Sequence, residues 1–110
     1  MKSTHILLLT ILCQFGCTTF IASQILTDAT SAIHDLSITN DSMFLAAAGT
    51  NVYIYHRSGG IFYLNQTIIN PSYIALSVHL TNDHQRLVVG TYQSRAYIYH
   101  WQPQTSEFDL

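Results

Sequence analysis

Charge is scarce in this sequence. Four basic and six acidic side chains make up 9% of its 110 residues. Lysine occurs once, at Lys2, and beyond Gln24 the only cations are Arg57, Arg86 and Arg95. Nucleic acid and anionic lipid surfaces both need a basic footprint, so this composition argues against either partner. Cysteine is confined to Cys13 and Cys17, which leaves nothing beyond them to staple a small domain with disulfides. No phosphate loop, nucleophile elbow or HExxH pair is present, so no motif points to catalysis.

The apolar residues present at the start form a short run, Ile6 to Cys13, behind Lys2. It is too short to span a bilayer comfortably, and small residues follow it up to Ser23. Residues 1–23 therefore read as a signal peptide cleaved after Ser23, which implies a secreted or extracellular chain with no membrane span in its mature part. A buried N-terminal helix or an uncleaved anchor is the alternative. So is a membrane-anchored lipoprotein through Cys17, although Gln14 stands where a lipoprotein signal carries an aliphatic residue.

The chain resembles itself at a nearly fixed offset. Gln24-Ile25-Leu26-Thr27 aligns with Gln66-Thr67-Ile68-Ile69, and Thr39-Asn40-Asp41 with Thr81-Asn82-Asp83, at an offset of 42. Tyr53-Ile54-Tyr55-His56 meets Tyr97-Ile98-Tyr99-His100 at an offset of 44, so the second copy carries two extra residues in one hairpin loop. Residues 24–65 and 66–110 thus read as two repeats, the second stopping as its fourth strand begins. Alternation and turn chemistry predict strands over Ile33–Thr39, Met43–Ala48, Val52–Arg57, Ile61–Ile69, Tyr73–Leu80, Arg86–Thr91 and Ala96–Trp101. Asn and Asp in the Thr-Asn-Asp turns tolerate left-handed backbone and cap their own chain, and Ser58-Gly59-Gly60 supplies a hairpin. The expected fold is all-β: two four-stranded antiparallel blade-like repeats, incomplete as a closed ring.

Tyr53-Ile54-Tyr55-His56-Arg57-Ser58-Gly59-Gly60, and Leu87-Val88-Val89-Gly90-Thr91 followed by Ala96-Tyr97-Ile98-Tyr99, resemble FG-GAP and WD-type β-propeller repeats. The resemblance implies blade architecture and names no ligand. The carboxylate-rich calcium loops of FG-GAP repeats and the Trp-Asp pair of WD repeats are both missing, so no binding residue is carried over.

The histidines His34, His56, His79, His84 and His100 lack the close pairing of zinc ligands, and equivalent repeat positions are held apart rather than converging. No metal, cofactor or catalytic residue is expected. Tyr53, Tyr55, Tyr97, Tyr99 and Trp101 form an aromatic stripe that suits packing between blades or, alternatively, a surface for a peptide or carbohydrate. Asn40-Asp41-Ser42 and Asn65-Gln66-Thr67 are N-glycosylation triplets, which makes Asn40 and Asn65 candidate acceptors in a eukaryotic source. The functional expectation is an exported, non-catalytic propeller-repeat module for protein or glycan interaction. The alternative is a truncated piece of a larger propeller enzyme or receptor, inactive alone. Two blades leave sheet faces uncovered, with the stripe on one side and Ile54 and Ile98 on the other. Self-association, or association with further blades, is therefore expected.

Overall fold

The computed structural model describes residues 4–5, 23–69 and 74–110. Most of the expected targeting segment, including Cys13 and Cys17, lies outside the described residues. Two two-residue strands, β1 (Thr4–His5) and β2 (Ile25–Leu26), pair antiparallel. The remaining strands form two four-stranded antiparallel sheets, and among the described residues there is no helix. The first sheet runs β3 (Asp35–Ile38), β4 (Phe44–Ala48), β5 (Val52–Ser58), β6 (Ile61–Ile68). The second runs β7 (Ala75–Leu80), β8 (Arg86–Thr91), β9 (Ala96–Gln102), β10 (Glu107–Asp109). Both are meanders in chain order. The first strand of each is shorter than the sequence suggests, Asp35–Ile38 against Ile33–Thr39 and Ala75–Leu80 against Tyr73–Leu80.

The turns show why the strands end where they do. Thr39 Oγ1 donates to Asp41 Oδ1 at 2.7 Å, and the same oxygen accepts the Met43 N–H at 3.0 Å. The Phe44 N–H then donates to Thr39 Oγ1 at 3.2 Å. Thr81, Asp83, Gln85 and Arg86 repeat this arrangement at 2.6, 3.0 and 3.1 Å. The residue that goes left-handed is not the Asn or Asp of the triplet but the one after it, Ser42 at φ 59° and His84 at φ 64°. The carboxylate gains more by capping two groups from an ordinary backbone conformation. Gly59 and Gly60, at φ 59° and 81°, make the two-residue turn between β5 and β6, where a side chain would be strained. Opposite Ile54 and Tyr55, β6 carries a bulge: Gln66 pairs with Ile54 and Leu64 with Tyr55, leaving Asn65 as the extra residue.

The core lies between the sheets. Phe44, Ala46, Ala48, Val52 and Ile54 of the first sheet pack with Val78, Leu80, Leu87, Val89, Tyr99 and Phe108 of the second. Alanines at 46 and 48 keep β4 thin, which lets β7 approach it closely. The opposite face of the first sheet buries Ala47, Tyr53 and Tyr55, covered by Leu26 and Ala29 from the chain before β3 and by Phe62 and Leu64 from β6. Strand β5 is therefore buried on both faces along Val52–Tyr55, as a strand enclosed on two sides requires. Hydrogen bonds cross the same junction. The Val78 and Leu80 N–H groups donate to Asp35 Oδ2 at 3.0 Å and Ser37 Oγ at 2.9 Å. The Asn40 N–H donates to Asn82 Oδ1 at 2.9 Å, and the Ala75 N–H to the Gly49 carbonyl at 3.0 Å.

Candidate interaction surface

The structure turns most of the aromatic stripe inward. Tyr53 and Tyr55 are buried on the face of the first sheet that looks away from the second, and the Tyr55 hydroxyl donates to Asp28 Oδ2 at 3.1 Å. Burial, with the Asp28 carboxylate beside it, pushes the Tyr55 phenol well above its ordinary value. Tyr99 is buried between the sheets, and Tyr97 and Trp101 are partly buried against the same cluster. Tyr53, Tyr55 and Tyr99 are thus packed against the segment that precedes their sheet, while Tyr97 and Trp101 keep part of their surface exposed.

At one end of the junction the rings form a connected cluster of tilted and edge-on pairs. Phe44 lies 4.9 Å from His56, 4.8 Å from His84 and 5.5 Å from Trp101, and Trp101 lies 5.1 Å from Phe108. Beside these rings is a cleft of about 210 Å³ lined by Phe44, His56, Asn65, Trp101 and Ser106. That is smaller than the roughly 300–1,000 Å³ of most small-molecule sites. Across it, Asn65 Nδ2 donates to the Ser106 carbonyl at 3.0 Å. The other acceptor candidate, Asn40, is exposed in the β3–β4 turn. Nearby, His84 Nε2 sits 2.8 Å from Asp41 Oδ2, a contact that becomes an ion pair when the imidazole is protonated. The Thr39 hydroxyl, the Met43 N–H and His84 together hold the Asp41 carboxyl below the usual range, and the Thr81 hydroxyl and Gln85 N–H do the same for Asp83. Among the described residues no three His, Cys, Asp or Glu side chains are grouped to hold a metal ion, and no helix is long and apolar enough to cross a membrane.

The larger feature is a whole sheet face. In the first sheet, Ile54 is 0% exposed because the second sheet covers it. Ile98 occupies the corresponding place in the second sheet, between Tyr97 and Tyr99, and is 51% exposed. Around it Ala96, Arg86, Ser77 and His79 are exposed, and Val88 and Gly90 are half-buried. The converse holds at the other end. Val78 and Leu80 on β7 are 6% and 1% exposed, whereas Leu36 and Ile38, their counterparts on β3, are 61% and 52% exposed. Among the described residues there is thus one used junction, an open face on the second sheet at Ile98, and an exposed Leu36 and Ile38 edge on a first-sheet face whose Ala47, Tyr53 and Tyr55 are already covered. Neither comparison with protein-family profiles nor comparison with curated proteins finds a match.

The clue that sequence reasoning misses is the pair of glutamines. Gln24 and Gln66 align in the self-comparison, yet amide side chains in a strand pattern signal nothing by themselves. In the structure each spans from its own segment to the backbone of a phenylalanine in the next sheet.

Proposed function

We propose that the chain is an exported, non-catalytic β-propeller-repeat module that works by presenting sheet faces to a protein partner. The observation that carries this reading is Ile98, half exposed where its counterpart Ile54 is sealed. An apolar sheet face bordered by polar edge residues fits another protein sheet better than a glycan, which is held mainly through hydroxyl-directed hydrogen bonds. Two meanders in the same strand order, joined through their first strands, agree with neighbouring blades of a propeller. The same open face supports a second reading, in which these sheets are one portion of a larger propeller enzyme or receptor.

The test places a thiol on that face. An Ile98→Cys chain, expressed with its N-terminal segment in a secreting cell, is expected in the medium, shortened by the targeting segment. Maleimide labelling of the introduced thiol in fresh medium is expected to be slower than in the same protein purified and diluted, because a partner covers the position. Equal labelling rates would sink the interaction reading, and retention of the full-length chain in the cytosol would sink export.

A further inference from the structure

We infer that the open face of the second sheet takes a second copy of this chain, head to tail, with the copy's first sheet seated as the second sheet is seated on the first. The inference rests on the interaction reading above and names its partner.

The junction already present in the chain is the template. On its first-sheet side, Ala46, Ala48, Val52 and Ile54 form the floor, and Asp35 Oδ2 and Ser37 Oγ accept two backbone N–H groups of β7. The corresponding residues of the second sheet are Val88, Gly90, Ala96 and Ile98 for the floor and Ser77 and His79 for the acceptors. At these four floor positions apolar residues or glycine stand in both sheets, and both acceptor positions carry polar side chains, whereas Arg86 takes the place of the buried Phe44 at one end of the face. This is a property of the face as built, and it continues an interface whose packing is seen inside the chain.

The other partner face is also present. The first sheet shows Leu36 and Ile38 where the second buries Val78 and Leu80. Leu26 and Ala29 cover only the outer part of that face, over Tyr53 and Tyr55. Leu26 does not obstruct docking, because Ile68 packs against the internal junction in the position matching it. Gln24 already grips Phe62 as Gln66 grips Phe108, so the copy arrives with that contact made. Its Gln24–Leu26 stretch corresponds to Gln66–Ile68, whereas β10 corresponds to the start of β6. The two therefore occupy successive stretches of one outer-strand position without overlapping. Because the two faces differ, the contact is heterologous: each copy uses its second sheet toward one neighbour and its first toward the other, giving a ring or an open row.

The experiment uses the secreted chain and two exposed-site variants, Ile98→Asp and Leu36→Asp, followed by sedimentation velocity over a concentration series. The unaltered chain is expected to associate beyond the dimer. Each variant alone is expected to be a monomer, weakened at least about tenfold in association by one carboxylate in an apolar contact. Mixed together, they are expected to form a one-to-one dimer, since each retains the face the other lacks. A mixture that stays monomeric, or a single variant that still dimerises through like faces, overturns the head-to-tail arrangement. An unaltered chain that is monomeric at every concentration also overturns it. If the thiol of Ile98→Cys is nevertheless protected in medium, the partner is a different protein and the interaction reading stands. Circular dichroism confirms that each variant keeps its strands, and Ile98→Gln replaces Ile98→Asp if it does not.

Discussion

Gln66, on the outer strand of the first sheet, holds the backbone of Phe108 in the second by two hydrogen bonds, Nε2 donating to the carbonyl and Oε1 accepting the N–H, both at 2.8 Å. Gln24 does the same to Phe62, at 2.8 and 3.0 Å. A primary amide is the only side-chain group that offers a donor and an acceptor at the spacing of a peptide unit, so it can stand in for a strand where none is paired. Glu107–Asp109 is a three-residue strand, and Gln66 satisfies the edge of it that β9 does not. Gln66→Leu is expected to cost about 1–3 kcal/mol, the range for two modest hydrogen bonds and the desolvated groups they leave. Gln66→Glu should cost a similar amount, since it keeps the acceptor but sets a carboxylate against the Phe108 carbonyl. Urea midpoints at constant slope check both; an unchanged midpoint for Gln66→Leu would show that the clamp carries no stability.

Gly49 tests the first sheet's inner end. A Cβ placed on it would meet the Ala32 carbonyl oxygen at 2.7 Å, a backbone atom that cannot swing aside. Its own carbonyl accepts the Ala75 N–H at the sheet junction. Gly49→Ala is therefore expected to destabilise the chain by about 1–3 kcal/mol, as overpacking does. Ala48→Gly, one residue earlier, should cost a comparable amount by a different route, about 1–2 kcal/mol from the lost buried methyl and glycine's backbone entropy. A thermal melt in which Gly49→Ala equals or exceeds the unaltered chain would contradict the geometry.

Much of this fold is legible in the sequence and part of it is not, for physical reasons that particular residues illustrate. The Thr-Asn-Asp turns and the Gly59-Gly60 hairpin are local chemistry, so the strands between them fall where spacing places them. Burial is not local. Leu36 and Ile38 carry the same alternation as Val78 and Leu80, yet one pair is exposed and the other sealed, because only the second has a sheet behind it. The repeat count alone puts the tyrosines among the uncovered surfaces, whereas Tyr53, Tyr55 and Tyr99 are buried and the exposed apolar positions are Ile98 on the second sheet and Leu36 and Ile38 on the first. The glutamine clamps are invisible in a strand pattern until two sheets are placed side by side.

The phenol of Tyr55 makes a third prediction. Its hydroxyl is directed to Asp28 in the segment that covers the first sheet, while its ring stays in the core. Tyr55→Phe removes one hydrogen bond to a charged acceptor and leaves the packing intact. The expected cost is about 1.5–3 kcal/mol at most, less to the extent that water reaches Asp28. Hydrogen exchange should show the loss first around residues 25–29, as the covering segment loosens before the sheet. Uniform exchange changes across both sheets would argue that the bond does not anchor that segment.

Acid should weaken the fold through the two turn aspartates. Asp41 and Asp83 both titrate below their ordinary value of 3.8 in the folded chain, each held chiefly by a threonine hydroxyl. Between the folded and unfolded values the unfolded chain binds more protons, so stability falls as pH falls. Their contribution is fully present above about pH 4, the unfolded carboxylate range, and is lost as pH drops through the folded values. Asp41→Asn with Asp83→Asn is expected to lower stability at neutral pH and to flatten its decline on going below pH about 4. A double variant that declines as steeply as the unaltered chain would assign the acid sensitivity to other groups.

The two glycosylation triplets should behave differently. The Asn65 amide nitrogen, the atom to which a glycan attaches, is the donor to the Ser106 carbonyl at 3.0 Å. Attachment there removes one hydrogen of that donor and places a bulky sugar at the mouth of the cleft against Trp101 and Ser106. At Asn40 the contact with the second sheet is made by the backbone N–H, to Asn82, while the residue itself is exposed. In a eukaryotic secretory host, Asn40 is therefore expected to be the more fully occupied acceptor. Asn65 should be modified mainly on chains that have not yet closed the junction. Glycopeptide mapping of the secreted chain reads the two occupancies directly. Gln66→Leu, which loosens β10, should raise occupancy at Asn65 and leave Asn40 unchanged. Equal occupancy at both sites in the unaltered chain would mean that attachment precedes docking of β10 altogether. In that case the Asn65–Ser106 bond has no part in choosing the site.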